Sequence, residues 1–70
     1  MKIDKQLMRD CSHVKKSFEH KERMWVKINI IKDDGIIGTL SNKPWILTSV
    51  KRGDLIFVPY EEVVDVKWKK

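Results

Sequence analysis

The spacing of apolar residues changes period once, near Met24, and this limits the folds open to the chain. Before it, Ile3, Leu7, Cys11, Val14 and Phe18 recur three or four residues apart. At about 100° per residue they form one narrow stripe on a helix. No proline or glycine interrupts this stretch. The spacing predicts an amphipathic helix over residues 2–21. Asp4 falls in its first turn, where a carboxylate complements the helix dipole. The opposite face collects Lys2, Lys5, Arg9, Lys16, His13 and His20.

From Met24 the period is two. Val26, Ile28 and Ile30 alternate with Trp25, Lys27 and Asn29, the pattern of a half-buried strand. Asp33-Asp34-Gly35 reads as a hairpin turn, with Gly35 supplying a positive φ. Ile36–Leu40 is a second strand, and Gly38 inside it marks a bulge or bend. Asn42-Lys43-Pro44 is a turn, Trp45–Val50 a third strand, and Lys51-Arg52-Gly53-Asp54 a turn with positive φ expected at Gly53. Leu55–Val58 follows, and Pro59 ends that strand or confines it to an edge. Tyr60-Glu61-Glu62 reads as one helical turn, and Val63–Trp68 closes the sheet. Short strands with no room for crossover helices form an antiparallel meander. In 70 residues such a sheet must bend to bury a core. The expected class is α+β, mostly β. It is a helix followed by a strongly bent five-stranded antiparallel sheet over residues 24–68, an SH3-like or Sm-like small barrel. Residues 1–70 make one domain.

The single cysteine excludes an intramolecular disulfide framework. The charged N-terminal residues do not read as a signal peptide, and no apolar run is long enough to span a bilayer. A cytoplasmic protein without membrane contact is expected. The net charge of +5 suits nucleic acid, an acidic partner or plain solubility.

Four motifs occur in order: Glu22-Arg23-Met24-Trp25-Val26, Gly38-Thr39-Leu40-Ser41-Asn42-Lys43-Pro44, Val50-Lys51-Arg52-Gly53-Asp54-Leu55-Ile56-Phe57-Val58-Pro59 and Glu62-Val63-Val64-Asp65. The stretch from Glu22 to Val66 resembles the YegJ-like family, a bacterial domain of unknown function. Arg23 stands where that family usually has histidine, and Lys43 where it commonly has an acidic residue. The resemblance implies a fold and a bacterial or phage origin, and no activity. Asp34-Gly35-Ile36-Ile37-Gly38-Thr39-Leu40 is also similar to a segment of Sm and Hfq-like RNA-binding barrels.

Catalytic chemistry finds little support. Cys11 lies on the apolar stripe and reads as a small buried hydrophobe. His13 and His20 are too far apart on a helix to share a metal. Asp33-Asp34 and Glu61-Glu62 are neighbours in turns, where carboxylates diverge. No metal or cofactor is expected, and the chain is not expected to be an enzyme. The aromatics are the stronger signal. Trp25, Trp45, Tyr60 and Trp68 are candidate partner-binding residues, with Lys27, Lys43, Lys67, Lys69 and Lys70 near them. Trp25 is out of phase with Val26 and is expected to lie under the helix. Lys2, Lys5, Arg9 and Lys16 form a candidate basic patch. The expected function is a small non-enzymatic module that binds another protein, such as an immunity, inhibitory or phage counter-defence factor. The alternative is an RNA-binding barrel of the Sm type. Self-association is compatible with either.

Overall fold

The structure, a computed structural model, describes residues 2–69. Met1 and Lys70, and with Lys70 one of the lysines named above, lie outside the described residues. The elements run α1 (Lys5–Met8), β1 (Cys11–Phe18), β2 (Glu22–Ile31), β3 (Gly35–Leu40), β4 (Leu55–Pro59), a 3-10 turn (Tyr60–Glu62) and β5 (Val63–Trp68). The strands form one antiparallel sheet in the order β4-β3-β2-β1-β5. Among the described residues no ladder joins β4 to β5, so the sheet is not a closed barrel.

The sheet is nevertheless bent. Only the 3-10 turn separates its two edge strands in sequence. The steps from Pro59 to Val63 span at most about 14 Å. Five flat strands would place their edges roughly 19 Å apart. The sheet must therefore curl, and its concave face holds Val14, Phe18, Met24, Val26, Ile36, Leu40, Val58 and Val66, all buried. Met8 and Leu47 complete this core from outside the strands.

The long N-terminal helix is not there. The helix has four residues, Lys5–Met8, with Asp4 as N-cap accepting the Leu7 N–H at 2.9 Å. Residues 11–18 are instead a strand flanked by β2 and β5. Their spacing imitates a helix for two reasons. Val14, Lys16 and Phe18 share the concave face, and the middle position is a lysine whose stem is largely covered. A register irregularity between Cys11 and His13 then brings Cys11 into phase three residues before Val14. The serine, histidine, valine and phenylalanine of this segment are also weak helix formers, so pairing on both sides decides the outcome.

The β1–β2 hairpin escapes the sequence because its turn lacks the usual residues. Glu19 and His20 both have positive φ, 53° and 56°, and Lys21 N–H bonds to Phe18 C=O at 3.0 Å. This is a type I′ turn, normally made by Asn-Gly.

Three other expectations are corrected. Trp45–Val50 is irregular, because its backbone bonds to a side chain rather than to a strand. Gly35 has no positive φ; it begins β3, where a Cβ would meet Pro59 Cα at 2.9 Å. Ile30 is exposed because a register shift between Ile28 and Ile30 turns it to the convex face beside Ile37. Gly53, by contrast, has the expected positive φ, 95°.

Candidate interaction site

The loop from Ser41 to Asp54 joins β3 to β4 and carries the most exposed large hydrophobic residue, Trp45, at 91%. Loops of this length are usually mobile or functional. This one is fixed at several points. Glu22, the first residue of β2, aims its carboxylate into the loop. It accepts the N–H groups of Trp45 at 2.7 Å, Ile46 at 3.0 Å and Leu47 at 3.4 Å. Successive N–H groups converging on one anion form a nest. The Trp45 bond, then the Ile46 bond, holds the Glu22 carboxyl below its usual range, and the Leu47 bond adds to the effect against some desolvation.

The strand behind Glu22 grips the entry to the loop. Trp25 N–H bonds to Asn42 Oδ1 at 2.6 Å, and Ser41 N–H to Trp25 C=O at 2.9 Å. Asp54 closes the exit: its Oδ2 accepts Lys51 N–H at 2.9 Å, and its own N–H bonds to Lys51 C=O. Ser49 Oγ donates to Glu19 at 2.5 Å. Leu47 is buried in the core while Trp45 and Ile46 face solvent. The motif residues Glu22, Asn42 and Asp54 are thus side-chain clamps on one loop. Their chemistry in the sequence, carboxylate or amide at turns and strand ends, is legible; their shared target is not.

The other candidates separate. Trp25 does not lie under the helix. It faces the convex side, half-buried, with Lys15 Nζ 4.9 Å and Lys67 Nζ 4.8 Å from its ring centre. Lys15 is its cross-strand partner, and His13 stands opposite both Lys27 and Lys67. Burial, then Lys67 and Lys27, pushes the His13 pKa down. Tyr60 donates its hydroxyl to the Lys32 carbonyl, tying the 3-10 turn to the β2–β3 connection; burial pushes its pKa up. Trp68 is half-exposed opposite Cys11, whereas Glu22 stands opposite Phe18. Those two ends of β1 lie about 23 Å apart along the strand. The four aromatics therefore form no single patch.

The basic set also disperses. Lys5 pairs with Asp33 at 2.8 Å and Lys16 with Glu62 at 2.8 Å. Lys2 and Arg9 are exposed on the N-terminal segment. With the helix only four residues long, these side chains share no helical face. Cys11 is buried, which, with Asp10 nearby, raises its pKa and keeps the thiol protonated. A cleft of about 420 Å³ lies between the β1–β2 turn and the 3-10 turn. Of the charged groups lining it, Lys16 is bonded to Glu62 and Glu19 to Ser49. Among the described residues no His, Cys, Asp and Glu cluster has the makings of a metal site. No helix among them is long and apolar enough to cross a membrane.

Neither curated proteins nor solved structures give a match. The family described as "Uncharacterized protein conserved in bacteria (DUF2314)" matches residues 3–69. That span takes in the whole sheet and the clamped loop, and the chain belongs to this bacterial family.

Proposed function

We propose that the chain is a non-enzymatic binding module that engages another protein through the Ser41–Asp54 loop, with Trp45 as the anchor. The observation that carries this reading is the pairing of a nearly fully exposed tryptophan with a loop backbone already fixed by Glu22. Tryptophan is enriched among the residues that dominate interface energetics. A loop ordered before binding loses less entropy on association. Such a module suits an immunity, inhibitory or phage counter-defence role in a cytoplasmic setting.

A nucleic-acid reading of the Sm type draws on Lys15, Lys27 and Lys67 around Trp25. A base would have to displace the lysines from the ring before stacking on it, which weakens this reading relative to the first. The two separate by salt dependence, steep for phosphate contacts and shallow for an aromatic anchor.

The test is affinity capture from bacterial lysate with wild type, Trp45→Ser and a Lys15→Glu/Lys67→Glu variant, at low and high salt and with nuclease. The expected result is a protein retained at high salt by wild type and by the charge-reversed variant but lost with Trp45→Ser. Nucleic acid retained only at low salt, and lost on charge reversal, would favour the second reading.

A further inference from the structure

The two edges of the sheet are unlike. The β5 edge carries Asp65 and Lys67, charges of the kind that discourage further pairing. The β4 edge, Leu55-Ile56-Phe57-Val58-Pro59, carries none. Leu55 is 71% exposed and Phe57 43%, both on the convex face beside Thr39 and Ile37.

The backbone of β4 is open at these same two residues. Leu40 donates to Asp54 C=O and accepts from Gly53 N–H, each at 2.9 Å, so it occupies a hydrogen-bonded position. At the other end Tyr60 N–H bonds to Asp34 C=O at 3.2 Å. Antiparallel ladders alternate bonded and non-bonded pairs. Gly38·Ile56 and Ile36·Val58 are then the bonded pairs toward β3. Leu55 and Phe57 turn their N–H and C=O groups outward, where no strand among the described residues meets them.

We propose that a second copy of this chain pairs with β4 through this edge, two-fold symmetric and antiparallel. Three features select this occupant and its register. Setting Leu55 opposite the partner's Phe57, and Phe57 opposite the partner's Leu55, lets each pair exchange both of its hydrogen bonds. A register shifted by two residues, with Phe57 opposite the partner's Phe57, would set Leu55 against the partner's Pro59, which has no N–H to give. The antiparallel arrangement also brings the basic Lys51-Arg52 end beside Glu61 and Glu62 of the partner subunit, at both ends of the pairing. A parallel arrangement would set like charges together. The Leu55 and Phe57 side chains of the two copies then form one apolar cluster on the convex face. The symmetry uses up both β4 edges, so the assembly closes as a dimer.

Sedimentation equilibrium combined with amide exchange on the full chain tests this independently of the loop reading. The mass is expected to rise with concentration from 8.3 kDa to twice that value, while the Leu55 and Phe57 amides become protected. Leu55→Lys places a charge at an already exposed position and is expected to keep the protein monomeric. Lys51→Glu is expected to weaken the dimer, and adding Glu61→Lys to restore it. A monomer at every concentration, or a dimer in which the Leu55 and Phe57 amides exchange as fast as in the monomer, would overturn the proposal.

Discussion

The carboxylate of Glu22 accepts the backbone N–H of Trp45 at 2.7 Å, across 23 residues of sequence. With the bonds from Ile46 and Leu47 it turns an irregular segment into a fixed one. Glu22→Ala should release the loop without unfolding the sheet. Amide exchange at Trp45, Ile46 and Leu47 is expected to speed up by about tenfold or more, since charge-assisted bonds are the strong ones. The amides of β1 and β2 should keep their protection.

The same contact gives the loop a pH dependence of definite sign. The folded Glu22 carboxyl sits below its ordinary value of 4.5 because of the Trp45 bond first and the Ile46 bond next. Its contribution is therefore full above that ordinary value and is lost as pH falls through the lowered, folded one. Acid titration of tryptophan emission should show a transition of the loop on the acid side of 4.5. The Glu22→Gln variant should lack it.

Gly38 stands opposite Ile28, where the β2–β3 register shifts. A Cβ there would lie 2.6 Å from Val26 Cγ1 and against the Lys27 backbone. Gly38→Ala should cost about 3 kcal/mol, because backbone cannot move aside as a flexible side chain can. Gly53 has open space around it and a φ of 95°, so Gly53→Ala should cost only the strain of that conformation, about 1–2 kcal/mol. Urea denaturation of both variants checks the order.

His20 and Glu19 hold left-handed conformations that side chains disfavour. His20→Gly should raise stability by about 1 kcal/mol, seen as a higher melting temperature. A drop instead would mean that the His20 side chain makes a stabilising contact. Met8, fully buried beneath the sheet, gives the contrasting case. Met8→Ala should cost about 3 kcal/mol, although the helix that carries it has only four residues.

Much of the sheet is legible in the sequence. The period of two after Met24, the glycine-bearing turns and Pro59 place β2, β3, β4, the 3-10 turn and β5 to within a few residues. Residues 2–21 are misread for local reasons. A lysine stem on the concave face and an irregular register imitate a helical stripe, and a Glu-His turn conceals a hairpin. Trp45 stands out as a candidate by residue type alone. That it is displayed, while Trp25 has two lysines over its ring and Tyr60 is tied to Lys32, depends on long-range contacts that no local pattern encodes.

The most direct measurement uses 5-fluorotryptophan in place of the three tryptophans. Fluorine spectra are assigned by single Trp→Phe variants. The labelled protein is then mixed separately with a nuclease-treated host protein fraction and with protein-free host nucleic acid. The expected result is a shifted or broadened Trp45 resonance with the protein fraction only, and a Trp25 resonance left in place. A Trp45 resonance indifferent to the protein fraction, or a Trp25 resonance moved by nucleic acid, would contradict the account.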